Sequence, residues 1–166
     1  MQSPLLSQKR KSSEAALRVG ITAKCGVAHG AHLRRQIKRA HGLLQSPLRE
    51  LSIALVGDKQ MSTLHERFMS IAGPTDVLTF PLELDEKGLA IAGEIVICVP
   101  EARRRAPEQG NSLSNELLLY AVHGLLHLCG YDDRTAREFK IMHRKEDDLL
   151  CKLGVGPLFE FRAKVN

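Results

Sequence analysis

Apolar positions in this 166-residue chain fall into short blocks whose spacing switches between strand-like and helical. From Gly20, GITAKCG predicts a short strand, and residues 31–44 a helix that exposes Arg34, Arg35, Lys38 and Arg39. Residues 51–57 (LSIALVG) are rich in branched side chains and predict a second strand. Residues 60–69 predict a helix, with Met61, Leu64 and Phe68 at helical spacing, which Gly73-Pro74 ends. Two more strands follow, over 76–84 (DVLTFPLEL) and 94–99 (EIVICV), and Pro81 marks the first of them as an edge strand or one that ends early. After Pro100 the pattern is helical, over 101–109, 115–129 and 135–153. The order predicts an α+β fold, a single domain in which helices cover a sheet of about four strands.

The first twenty residues, rich in Ser and basic groups, predict a mobile basic tail, leaving 21–166 as the domain. No apolar segment precedes a small-residue cleavage site, so a secretory signal is not expected. The Ser/Arg bias also fits an organellar transit peptide, and Glu14 counts against that. At 43% hydrophobic and 26% charged residues the composition excludes global disorder, collagen-like and coiled-coil chains. No apolar run reaches the roughly 20 residues of a membrane span. Cys25, Cys98, Cys129 and Cys151 form no Cys-x-x-Cys pair, so each is expected to be a small buried hydrophobe in a reducing cytoplasm rather than a zinc ligand.

Charge adds a direction. Residues 1–60 carry eleven Lys/Arg against three acids, and residues 61–166 thirteen against sixteen, so the net charge of +5 is an N-terminal property. A basic helix suits a polyanionic partner through counterion release, although a solvated basic face has the same composition. Aromatics are only 4% of the chain, which excludes a sheet of base-stacking rings.

The candidate chemistry lies in residues 117–128, LLLYAVHGLLHL, apolar except at His123, Gly124 and His127. A helix apolar all round belongs in a core. Its two histidines, four apart on one face, have the spacing that offers two nitrogens to one metal ion; a structural pair satisfied by hydrogen bonds has the same spacing. Gly130, three residues after His127, suits a helix-terminating turn that carries Tyr131, Asp132 and Asp133 back toward the histidines. A carboxylate would complete a two-His, one-carboxylate site with an open position. The base of a zincin peptidase would stand at Gly124, so peptidase chemistry lacks its proton acceptor.

The segment HGLLHLCGYDD, residues 123–133, resembles the signature His-Gly-x-Leu-His-Leu-x-Gly-Tyr-Asp-His of the YbeY family of metal-dependent endoribonucleases. That family acts in ribosomal RNA maturation and ribosome quality control. PTDVLTFPLE (74–83) and GEIVICVPEA (93–102) are similar to two of its strands, and Met142 and Glu146 also match, so the likeness covers about residues 50–153. The resemblance implies an RNA-cleaving hydrolase that acts on single strands, with one zinc ion (Zn2+) per chain and ribosomal RNA and the ribosome as partners. It carries over His123 and His127 as ligands. The family's third His is here Asp133, expected as the third ligand, with Asp132 its competitor; a carboxylate there makes the metal a weaker Lewis acid.

An arginine that the family uses for phosphate falls at Met69, and Arg67 sits on another face of the helix. Arg134, beside Asp133, is counted with the catalytic residues as the substitute candidate for phosphate contact, the alternative being a plain exposed arginine. At least one of Arg103, Arg104 and Arg105 is expected to face solvent or pair locally. Thr75 and Asp76 are expected either to bond near the site or to make strand-start hydrogen bonds. His29, His32, His41, His65 and His143 read as isolated surface or capping residues. The alternative to the enzyme is a non-catalytic ribosome-assembly module that keeps the metal as a structural staple.

Overall fold

The computed structural model describes residues 16–158. Its elements are β1 (Arg18–Ala23), α1 (Gly30–Gly42), β2 (Glu50–Val56), α2 (Asp58–Met69), β3 (Val77–Leu84), β4 (Ala90–Cys98), α3 (Val99–Glu108), α4 (Leu113–Leu128) and α5 (Ala136–Lys152). The four-stranded sheet has the order β1-β2-β4-β3; β1, β2 and β4 are parallel, and β3 runs antiparallel to β4. The α+β expectation holds.

Strand periodicity divides the core in two. Leu51, Ile53 and Leu55 of β2 and Ile95 and Ile97 of β4 pack with α1, α4 and α5, while Val56, Val96 and Cys98 face the other way onto Met61 and Leu64 of α2. α4 lies between the sheet and its neighbouring helices, and eleven of its sixteen residues are buried. Two glycines permit its close approach. A Cβ at Gly93 would meet Leu128 Cδ1 at 2.6 Å, and one at Gly124 would stand 3.0 Å from three atoms of Ile95.

Several boundaries differ from the pattern-based expectation. β1 opens at Arg18, with Leu17 and Val19 buried and Arg18 paired to Glu50, so residues 17–20 belong to the domain and not to the tail. Residues 1–15 of the tail expected over 1–20 lie outside the described residues. β4 begins four residues before Glu94, because a turn in which Asp85 Oδ1 accepts from the N–H groups of Lys87 and Leu89 makes a hairpin with β3. α3 starts at Val99, before Pro100, since a proline in the first helical turn has no hydrogen bond to lose. β3 is at the sheet edge, as Pro81 required, with an irregular register after that residue. Cys98 is buried, whereas Cys151 is exposed, which corrects the expectation that all four thiols are buried; all four are free. No described helix is long and apolar enough to cross a membrane.

Candidate metal centre

Two helix-terminus motifs place the centre. At the end of α4, Tyr131 N–H donates to the Leu126 carbonyl and Gly130 N–H to that of His127, with Gly130 at φ 91°, a Schellman turn that reverses the chain. Four residues on, Thr135 caps α5: its hydroxyl accepts from Glu138 N–H at 3.2 Å and the Glu138 carboxylate accepts from Thr135 N–H at 3.1 Å. Asp133 lies in the short connection between these anchors, facing the last turns of α4.

Each histidine has one nitrogen committed. His123 Nδ1–H donates to Glu146 Oε2 at 3.0 Å and His127 Nδ1–H to the Tyr131 carbonyl at 3.1 Å. The Tyr131 oxygen can only accept, so Nδ1 of His127 carries the hydrogen, and Nε2 of each ring keeps its lone pair. These two Nε2 atoms stand 3.1 Å apart. Two lone pairs cannot face one another at that distance without an electrophile between them or a proton on one ring.

Asp133 closes the third side, with Oδ2 3.7 Å from His123 Nε2 and Oδ1 3.9 Å from His127 Nε2. Zinc–nitrogen bonds of 2.0–2.1 Å in a tetrahedron set ligand atoms about 3.3 Å apart, so the three donors fit a metal ion with small adjustment. One donor atom from each lies within 4.8 Å of the others, and this is the one such cluster among the described residues.

The electrostatics match. Burial opposes charge on His123, but the Glu146 hydrogen bond and the charges of Glu146, Asp133 and Asp76 outweigh it and hold its pKa above the usual imidazole value. His127 is pushed below it by burial and by its neighbour His123. Burial raises the Glu146 pKa, yet hydrogen bonds from His123 and His143 reverse the sign and leave it below the usual carboxylate range. The two imidazoles are thus driven apart in basicity, with Glu146 favoured as the carboxylate beside the more basic one.

The structure reassigns several sequence-derived candidates. Asp132 is occupied, its Oδ1 accepting from Asp133 N–H at 2.8 Å and its Oδ2 from Arg134 Nε at 2.5 Å, so Asp133 is the carboxylate left for a metal. Arg134 is tied to Asp132 and exposed. Met69 does line the cleft where the resemblance would place an arginine, and Arg67 lies over the Phe68 ring, 5.4 Å from its centroid. Asp76 makes a strand-start bond, its Oδ1 accepting from Val77 N–H at 2.8 Å, and also lines the cleft. Arg104 pairs with Asp58 and Glu101, and Arg105 with Glu101, so two of the three consecutive arginines pair locally.

His65 is not isolated either. Its Nδ1 is 2.8 Å from the Gly73 carbonyl, pinning the loop after α2. His143 is the residue the sequence reading missed. Its Nδ1–H donates to Glu146 Oε1 at 3.2 Å, its ring stacks 5.9 Å from that of His123, and Phe139 meets it edge-on at 4.3 Å. The available signal was its i, i+3 spacing from Glu146 and i, i+4 spacing from Phe139 on one helix.

The histidines open onto a cleft of about 420 Å³ between β3 and the end of α4, whose walls include Phe80, Pro81, Leu84 and Leu89. The fold and site together define an α+β protein with a metal-capable His-His-Asp centre at the mouth of a mainly apolar cleft. The chain belongs to the YbeY endoribonuclease family, whose profile matches residues 27–154. An endoribonuclease YbeY of Thermobifida fusca is 40% identical over 128 residues, 73% of this chain and 81% of the relative. One from Saccharopolyspora erythraea is 44% identical over 115 residues, 64% of this chain and 63% of its own. A Frankia casuarinae relative of the same name is 40% identical over 116 residues, and there the match spans 58% of the relative's length. A solution structure from Thermotoga maritima, 24% identical, superposes with a TM-score of 0.57 over 85% of this chain and 95% of that one, which shows the shared fold.

Proposed function

We propose that this protein is a metal-dependent endoribonuclease that cuts single-stranded RNA in the cytoplasm, in the maturation of small-subunit ribosomal RNA and in ribosome quality control. The observation that carries the reading is the facing pair of Nε2 atoms, each ring held by its other nitrogen and closed on the third side by Asp133. His123, His127 and Asp133 would hold one ion, zinc by the chemistry of the donor set and by family. When bound, it would acidify a water molecule and draw charge from a phosphoryl oxygen.

The rest of the work falls to the chain. Glu146 and the Tyr131 carbonyl fix the tautomer and aim of the two rings. Asp133 brings a negative charge that moderates the cation's. Preference for single strands is supported by the β3 edge. Cys98 N–H donates to the Asp76 carbonyl, so in the β3–β4 register Leu78↔Val96 and Phe80↔Glu94 are the hydrogen-bonded pairs, and Thr79 turns its N–H and C=O outward. An unstacked base can lie against the apolar wall and use that edge; a base held in a duplex cannot. Arg34, Arg35, Lys38 and Arg39, all exposed on α1, attract the backbone, whereas Arg134 is held by Asp132.

The non-catalytic assembly module is favoured by one observation: no Lys or Arg lines the cleft, and Met69 stands at its wall. The two readings separate in one experiment, in which purified protein is assayed for metal content and for cleavage of single-stranded and duplex ribosomal RNA fragments. Cleavage of single strands that disappears in His123→Ala and His127→Ala supports the enzyme. RNA binding without cleavage by the metal-loaded protein supports the module.

A further inference from the structure

We propose that a second cavity, which meets the main cleft at Gly130, seats the nucleotide adjoining the one at the metal centre, with Lys145 on its phosphate. This deepens the RNA reading above and rests on it. The cavity is about 510 Å³, lined by Leu44, Gln45, Cys129, Gly130, Tyr131 and Lys145 among others. Gly130 lines both cavities, and Tyr131 supplies the carbonyl that orients His127, so the two spaces meet at the turn that carries the metal centre.

Their chemistry differs in the sense a strand requires. The main cleft is walled by Phe80, Pro81, Leu84 and Leu89, with Asp76 and the two histidines as its ionisable groups, which suits a base at the scissile position. The second cavity is lined by Gln45, whose amide is donor and acceptor at once, together with Tyr131 and one lysine. Lys145 is the one Lys or Arg among the residues lining either cavity.

The other cations near the site are engaged. Arg134 is held by Asp132, Arg67 lies over Phe68, and Arg104 is held by Asp58 and Glu101. Lys145 is not held in the same way. Its carboxylate neighbour, Asp148 Oδ2, is 3.9 Å from Nζ, while Lys152 Nζ takes that same oxygen at 2.9 Å. The opposite wall is the chain just after α1, so the helix bearing Arg34, Arg35, Lys38 and Arg39 ends at this cavity. A single strand drawn along that face reaches Lys145 and then the metal centre.

The test measures affinity of the full chain, metal-loaded, for 2′-O-methyl single strands of graded length, with wild type, Lys145→Ala and Lys145→Arg. The expected result is a roughly five- to tenfold loss in Lys145→Ala on strands long enough to cross both cavities, with a salt dependence weaker by about one phosphate contact. Lys145→Arg should keep the affinity, a mononucleotide should bind all three proteins alike, and metal content should not change. Equal affinity of wild type and Lys145→Ala for the long strand overturns the assignment, as does an equal loss at every length or a loss of metal. If wild type itself binds no single strand, the RNA reading fails and takes the assignment with it.

Discussion

The Nε2 atoms of His123 and His127 face each other at 3.1 Å, and neither ring can turn away without giving up the hydrogen bond at its Nδ1. The pair is satisfied by a proton on one ring or by a metal ion between them, and an ion also engages Asp133, so metal binding should stabilise the fold. Metal at one hundred times its dissociation constant adds about 2.7 kcal/mol, which for a chain of this size raises Tm by roughly 5–10 °C. A thermal melt with and without zinc should show that shift in wild type and none in His127→Ala.

Proton and metal compete for the same nitrogens. With the pKa of His123 held above the usual value and that of His127 below it, His123 is the first of the metal-free pair to take a proton as pH falls. A raised imidazole stabilises the metal-free fold below its unfolded pKa of about 6.5 and loses that contribution as pH climbs through the folded pKa. Metal affinity runs the opposite way, falling as pH drops through the same range, because the ion must displace the proton. Calorimetry in two buffers of different ionisation enthalpy should detect about one proton released per ion at slightly acid pH; no buffer dependence would contradict the competition.

Glu146, with its side chain only 3% exposed, accepts from two histidines at once. Removing it in Glu146→Ala leaves two half-buried N–H groups without their carboxylate and should cost about 3 kcal/mol, read as a lower denaturation midpoint. Glu146→Gln should cost less, since its carbonyl oxygen still accepts one of the two bonds. The depressed pKa makes the wild-type contribution acid-sensitive: it is present above the unfolded carboxylate value near 4.3 and lost as pH falls through the folded one.

Gly124 is a packing residue. A methyl at this position meets Ile95 at 3.0 Å, so Gly124→Ala should destabilise by about 1–3 kcal/mol, with part of the loss recovered by adding Ile95→Val. The position faces the sheet, so a glutamate there would press into the core and could not serve as the base of a peptidase. Chemical denaturation of the single and double variants checks the pairing.

Asp133→His would replace a charged ligand by a neutral one and strengthen the metal as a Lewis acid. The pH at which cleavage reaches half its maximum should fall, and the rate at neutral pH should rise. A profile identical to wild type would remove Asp133 from the ligand set.

The legible part of this protein was the part written locally. The helical repeat of 117–128, the i, i+4 histidines and the Gly130 stop sufficed to predict a buried helix ending at a metal-capable site, because spacing and chain reversal are short-range properties. The edge position of β3 was legible from Pro81 for the same reason. His143 was not, because its meaning depends on α5 packing against α4, a tertiary event that brings Glu146 between two imidazoles from different helices. The start of β4 was hidden by its pairing with β3, and the start of the domain by a parallel pairing of Arg18 with Glu50, thirty-two residues apart.

The most direct test of the account is cleavage of a single-stranded ribosomal RNA fragment as metal is titrated back into the stripped protein. The rate should rise in proportion to bound metal up to one ion per chain, and the His123→Ala/His127→Ala double variant should neither retain metal nor cut. Undiminished cleavage by that metal-free variant would contradict the assignment of the centre.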